Sequence, residues 1–341
     1  MAEYALGGPA GRARIRVRPT DFRVVEETGY GPCGHGEHLW LDVEKRGLNT
    51  MDVAARLADC AGVPVRSVGF AGLKDRNAVT RQPFTVHLPG RADPDWHAWR
   101  DQRFRVLAAE RHDRKIRRGR LAGNRFELVL RDVAGEREAI EARLARVAER
   151  GVPNAFGEQR FGGNNIARAY RLFRGELRRS PSRRKRGFYL SAARSLIFNR
   201  VLDARVRAGS WDRVIEGDAV MLDGSRSRFA ADAADPDIVR RAAELDLHPT
   251  GPLAGLGDGG VGGEAARLEQ AVMTDHAELV EGLRRFRLEA DRRPLRMRVI
   301  DLRWRFDDAG TLTLSFALRA GCYATTVLRE VVEYVDASHD T

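Results

Sequence analysis

Lysine is scarce in this chain: Lys45, Lys74, Lys115 and Lys185 are the only lysines, and arginine makes up the rest of its 59 basic residues. The cysteines, Cys33, Cys60 and Cys322, are odd in number and far apart. That excludes a disulfide framework and suits free thiols in a reducing compartment. No window approaches the roughly 18 consecutive apolar residues a membrane span needs, so a soluble protein is expected. The opening residues MAEYALGGPAGRAR lack a basic start, a continuous apolar stretch and a small-residue cleavage site. A cytoplasmic location is therefore expected. Neither an internal repeat nor a low-complexity tail is present.

What remains is long and basic. A length of 341 residues favours two domains, and 43% hydrophobic residues can build a sizeable core. A formal charge of +11 raises the local concentration of a polyanion, which makes RNA or DNA the natural partner. Arginine adds bidentate phosphate binding and stacking. An Arg-rich proteome with solvated charge would produce the same skew.

Hydrophobic periodicity divides the chain. Ile15, Val17, Phe22 and Val24 predict a pair of extended segments interrupted by a turn at Pro19-Thr20-Asp21. An apolar run covers Glu37 to Glu44, and Val53, Ala54 and Leu57 are spaced as a helix after a cap at Asn49. Alternation at Phe84, Val86 and Leu88, and again at Phe126, Leu128 and Leu130, predicts strands. Ile140, Leu144 and Val147 line a helix that Gly151-Val152-Pro153 stops. From Gly151 the texture changes: a glycine-rich turn at Gly162 to Asn165, a basic loop from Arg178 to Arg186, and a helix from Ser191 through Ala204. A glycine-dense loop from Gly251 to Gly263 then precedes a helix containing Leu268, Val272, Leu279, Leu283 and Phe286. Finally, Arg296 to Phe306 and Thr311 to Ala317 predict a hairpin around 307–310, followed by a helix from Thr325 to Tyr334. These boundaries make 151–297 a self-contained α/β unit within 1–150 and 298–341.

The stretch from Gly69 to Gln82, GFAGLKDRNAVTRQ, sets Asp75 between Lys74 and Arg76. Such a carboxylate can serve as a charged nucleophile or base at neutral pH without a histidine to activate it. As composition alone, the triplet reads equally as a surface salt-bridge cluster. Phe126 shares strand parity with Leu128 and Leu130, as a core residue would. Asn124 shares that parity, or is a turn residue after Gly123. Phe22 could be an ordinary strand anchor.

This stretch resembles the signature of the D-family tRNA pseudouridine synthases, close to AG-x-KD-x-x-AVT-x-Q. Arg18 to Glu26 is similar to the family's P-x-DF-x-V-x-E opening, and Gly36-Glu37-His38 to its GEH element. Blocks at Gly123–Phe126, 151–162, Lys185-Arg186, 190–195 and 320–325 follow in family order, so the resemblance spans nearly the whole chain. It implies an α/β (α+β) fold: a catalytic domain with a mixed, largely antiparallel sheet, built from 1–150 and 298–341, and an inserted α/β domain, 151–297, forming the far wall of an RNA cleft. It also implies that Asp75 is catalytic and that Phe22, Asn124, Phe126 and Tyr323 hold the substrate base. At Tyr323 the family carries Phe, and it tends to carry Lys where Arg16 stands. Arg16 and Lys74 are thus candidate site cations, while Arg183, Arg184, Lys185 and Arg186 are candidate RNA contacts.

The activity implied is conversion of uridine to pseudouridine in tRNA, at uridine 13 of the D arm, by a monomer. The N1–C1′ bond breaks, the uracil turns over, and C5 joins C1′ in exchange for the C5 hydrogen, so no cofactor is required. One carboxylate could attack C1′ or C6, or remove the ribose 2′ proton. The extruded base needs an aromatic platform and polar groups. A non-catalytic RNA-binding or folding-helper protein is the alternative. Other chemistries lack their residues. Cys33 to His38 has no paired CxxC or second ligand pair, so no metal is expected. The glycine loop has no phosphate-binding ending, and Ser191 and Ser195 have no elbow context.

Overall fold

The computed structural model describes residues 3–96, 102–257, 259–308 and 310–339. It divides into two compact units. One comprises Ala10–Arg137, Ile300–Gly321 and Val332–Thr341; the other comprises Met1–Pro9, Glu138–Val299 and Cys322–Val331. Helix Arg137–Arg150 and residues 322–331 therefore group mainly with the segment expected as the insertion.

The first unit is built on a 10-stranded sheet. Its main path runs Ile300–Phe306, Leu312–Arg319, Gly123–Ala134, Phe22–Glu27, Val79–His87, His38–Arg46 and Phe104–His112. Pairing is antiparallel except between Phe22–Glu27 and Val79–His87, and between Arg12–Ile15 and Glu333–Asp336. The sheet is mixed and largely antiparallel, as expected. Helix Thr50–Ala61 covers part of one face. Asn49 caps it with extended backbone, its N–H donating to Asp52 Oδ2 at 3.1 Å, and Gly62 ends it at φ 60°. Val53 and Leu57 are fully buried among Leu39, Leu41, Val43 and Phe84. Each such side chain contributes at most about 1.5–3 kcal/mol.

Strand Phe22–Glu27 shows how a site grows out of a core row. Phe22, Val24 and Glu26 alternate inward while Arg23 and Val25 face out, so the period of two that buries two apolar residues also buries a carboxylate. Strand His38–Arg46 repeats the device, with Leu39, Leu41, Val43 and then Lys45 buried on one row.

Several expectations change. Arg12–Ile15 and Phe22–Glu27 do not pair with each other; each pairs with Gly123–Ala134, because the 3-10 turn Pro19–Asp21 offsets them instead of closing a hairpin. The C-terminal helix stops at Val331, and Glu333–Asp336 forms a parallel strand beside Arg12–Ile15. Arg296 and Met297 pair with Val152 and Pro153 in the other unit, separate from the Ile300–Phe306 hairpin. Ala309, in that hairpin's turn, lies outside the described residues.

The second unit holds a four-stranded sheet from Ala219–Leu222, Arg228–Ala230, Leu247–Leu253 and Asp291–Pro294. Helix Arg183–Arg207 packs against it and against helices Asn165–Phe173, Gly263–Asp275 and Ala277–Arg285. The basic segment expected as loop up to Arg186 is helical from Arg183, with Ser182 Oγ accepting from the Lys185 N–H. Gly251 lies within a strand, not in the glycine-rich connector, and the helix expected across Leu268 to Phe286 breaks in two at His276.

Candidate active site

Strands Val68–Phe70 and Val79–His87 pair antiparallel, and the loop joining them carries Asp75. Buried polar groups hold that loop open. Glu26 Oε2 accepts the Gly72 N–H at 3.1 Å and also pairs with Lys74 Nζ. Gln82 Nε2 donates to the Gly72 carbonyl at 3.0 Å, Thr50 Oγ1 donates to Gln82 Oε1 at 3.1 Å, and the Lys74 N–H donates to Thr50 Oγ1 at 2.9 Å. A Cβ on Gly72 would lie 2.5 Å from Glu26 Oε2 and 2.6 Å from Lys74 Nζ, so a side chain there would displace the two charged ends from this arrangement. Replacing both ions by apolar groups would spare their desolvation. Their burial is instead matched to fixing this loop.

Asp75 itself reaches the surface, its side chain 34% exposed. Its carboxylate has two partners: Arg16 Nη2 forms an ion pair with Oδ2 at 2.9 Å, and the Asn77 N–H donates to Oδ1 at 3.0 Å. Lys74 and Arg76, the adjacent cations, are not its partners. Lys74 is turned inward to Glu26, and Arg76 Nε donates to the Gly47 carbonyl, because successive side chains along an extended loop point in different directions.

Of the two candidate cations, Arg16 is the one paired with Asp75. Its side chain is 6% exposed, bridges Asp75 and Asp336 through its two terminal nitrogens, and rests 4.0 Å over the Phe22 ring. Burial would raise the Asp336 carboxyl, but the Ser338 hydrogen bond and Arg16 outweigh it and hold that group below its usual range. Arg16 has φ 55°, a left-handed backbone that costs a non-glycine residue about 1–3 kcal/mol. Strain of that kind persists where surrounding contacts over-determine it, as the two carboxylates and the ring do here.

The aromatic candidates continue from Arg16 inward. Phe22 meets Phe126 edge-on at 6.3 Å, and Phe126 stacks on Phe316 at 5.4 Å. Both candidates are buried, Phe22 at 4% and Phe126 at 7%, so they form the floor beneath Arg16. Asn124 lies on the same strand face, half-buried, with Oδ1 lacking a hydrogen-bond partner among the described residues.

Lys45 was not a candidate. It is 1% exposed, and its Nζ donates to the Asp75 backbone carbonyl at 2.6 Å. Burial pushes its ammonium down to about 8, against the upward pull of Asp75. Asp336 was missed as well, since nothing in its surroundings marks it before the parallel strand is known.

The remaining candidates fall elsewhere. Tyr323 belongs to the second unit, just before helix Ala324–Val331. Arg183, Arg184, Lys185 and Arg186 form that unit's longest helix start, with no acidic residue in the first turn. Cys33, judged by its sequence neighbours, lacked a ligand set. In the fold its Sγ and ligand atoms of His112 and Asp113 lie within 4.8 Å of one another, with Asp113 paired to Arg114 at 2.6 Å.

The sequence model of tRNA pseudouridine synthase D (TruD) matches residues 1–178 and 164–331. The chain belongs to the TruD family. A tRNA pseudouridine synthase D of Methylococcus capsulatus is 51% identical over 325 residues, covering 95% of this chain and 92% of that protein. One from Xanthomonas euvesicatoria is 48% identical over 349 residues, covering 98% and 95%. Among solved structures, a protein from Methanosarcina mazei described as a candidate tRNA pseudouridine synthase D superposes with TM-score 0.74 over 97% of this chain and 96% of its own, at 21% identity. That likeness bears on the fold alone, which is the TruD fold. No helix among the described residues is long and apolar enough to cross a membrane.

Proposed function

We propose that this TruD-family chain isomerises uridine to pseudouridine in tRNA, at uridine 13 of the D arm, with Asp75 as its catalytic carboxylate. The observation that carries the reading is the setting of Asp75: an accessible carboxylate on a braced loop, oriented by a buried arginine that is itself anchored by Asp336 and Phe22. A carboxylate held by a backbone N–H and an ion pair keeps one orientation toward a bound nucleotide, which saves the reorganisation a free side chain would need.

In this reading Asp75 assists cleavage of the N1–C1′ bond by acting at C1′ or C6, or as base at the 2′ carbon. After the ring turns, C5 bonds to C1′ and the C5 hydrogen leaves as a proton, so atoms and electrons balance without an external oxidant. Phe22 and Phe126 support the floor, Asn124 contributes an amide oxygen that is buried and unpartnered among the described residues and would meet a uracil N–H once uncovered, and Tyr323 supplies a further ring by family resemblance. Arg16 orients the carboxylate, whereas Lys74 braces the loop from below. The cations Arg183, Arg184, Lys185 and Arg186, gathered at a helix N-terminus where their charges oppose the macrodipole, suit RNA phosphates.

The test is release of tritium from tRNA labelled at uracil C5. An isomerase liberates the label from position 13 and leaves pseudouridine there; a binding or folding-helper protein retains it.

A further inference from the structure

A concave site lies beside the Asp75 loop, along strand Val68–Phe70, and includes none of Asp75, Arg16, Phe22, Asn124 or Phe126. It has a volume of ≈ 530 Å³ and is walled by Met51, Val65, Val68, Phe70 and Ile116, with Arg66, Lys115, Arg117 and Arg118 around it. Arg118 rests 3.7 Å over the Phe70 ring, and its Nη2 lies 3.3 Å from Met51 Sδ. Met51 and Val65 are exposed at 47% and 42%. An apolar floor rimmed by four cations is the chemistry of a nucleotide seat: the base lies on hydrophobic and guanidinium surface, and the phosphate among the charges.

Three of the four charges here lack the carboxylate partners that cations have elsewhere. Arg105, Arg125, Arg174 and Arg240 each have a carboxylate partner, whereas Arg66, Lys115 and Arg117 have none among the described residues. Lys115 Nζ donates to the Arg66 carbonyl, which holds cations together that would otherwise separate.

The site is also fixed to the catalytic loop. Gly119 N–H donates to the Ala71 carbonyl at 3.0 Å, and Ile116 N–H donates to Thr85 Oγ1 at 3.0 Å. The 115–116 segment presses so closely that a Cβ on Gly69 would lie 2.5 Å from the Ile116 carbonyl oxygen. From Ala71 the chain reaches Asp75 in no more than about 14 Å, a span that a few nucleotides cover.

The geometry points to this pocket as the seat for a second nucleotide of the tRNA, one flanking the uridine presented to Asp75. It would hold the strand beside the reacting base, so that the unreacting nucleotide adds to the affinity for tRNA in ground and transition state alike. The inference rests on tRNA being the substrate, and its test is chosen to fail separately from the Asp75 reading.

Arg66→Gln/Arg117→Gln in the full chain is compared with a control, Arg12→Gln/Arg105→Gln, which removes the same charge from exposed arginines paired to Glu333 and Glu44. Equilibrium binding of a tRNA transcript is measured across a salt series, with kcat and KM from tritium release. The pocket variant is expected to weaken binding and raise KM about tenfold. Its log K against log salt slope should be shallower by roughly 1.4–1.8, with kcat within about twofold of the unmodified chain. Arg118→Lys, which keeps charge but loses the flat guanidinium, should weaken binding too. Unchanged affinity and salt slope in the pocket variant, or an equal loss in the control, would overturn the proposal. Failure of the unmodified chain to release tritium would instead overturn the isomerase reading, and the binding comparison would still decide the pocket.

Discussion

Arg16 Nη2 sits 2.9 Å from Asp75 Oδ2 while the rest of the guanidinium is buried between Asp336 and the Phe22 ring. The ion pair thus joins a solvent-reachable carboxylate to an immobile cation. Arg16→Met should lower kcat about 10- to 100-fold, the loss expected when a preorganised charge partner of the reacting group is removed, with little change in tRNA affinity. Arg16→Lys should recover part of it. An equal fall in affinity and turnover in steady-state and binding assays would assign Arg16 to RNA binding instead.

The pair was only partly readable from the chain. Motif resemblance pointed to Asp75, and Arg16 stood where the family tends to carry Lys, but the adjacency of Lys74 and Arg76 suggested partners that the loop directs elsewhere. Strand parity did place Asn124 and Phe126 on one face, and the Asn49 cap and the spacing of Val53 and Leu57 located their helix. Contacts between distant segments were not legible. Lys45 meets Asp75 only because two strands and a loop converge, although a lysine on the row of Leu39, Leu41 and Val43 was a usable sign. Strand Glu333–Asp336, which brings Asp336 to Arg16, exists only through its parallel pairing with Arg12–Ile15.

Glu26 and Lys74 form a buried pair, their side chains 0% and 6% exposed. Glu26→Gln leaves the ammonium without its counter-charge and should destabilise this unit by about 3–5 kcal/mol, read as a lower denaturant midpoint. Glu26→Gln/Lys74→Met should restore part of that stability while turnover stays low, since the loop keeps its glycine but loses its brace. Full recovery of both would show that the pair serves stability only.

Lys45 links the site to pH. Its ammonium is lowered from 10.5 to about 8, so between those values the unfolded chain binds more protons than the folded one. Stability therefore rises with pH across this window, by up to about 1.4 kcal/mol per pH unit, and the cost of the buried charge is fully present below pH 8. Compared with Lys45→Met by chemical denaturation, the unmodified chain should gain stability from about pH 8 upward. A difference that stays flat would contradict a buried, charged Lys45.

Neutralising Arg183, Arg184 and Arg186 together should weaken tRNA binding and flatten its salt dependence. Because all three lie in the first turn of a helix with no acid to offset them, their removal should leave the helix as stable or more so. An unchanged salt slope would remove this turn from the RNA footprint.

The most direct measurement is tritium release from C5-labelled tRNA by Asp75→Asn alongside binding of the same tRNA. The side chain keeps its size and can still accept from the Asn77 N–H, so affinity should stay within about twofold, while label release falls by at least about a thousandfold. Substantial release by Asp75→Asn, with normal binding, would contradict the account.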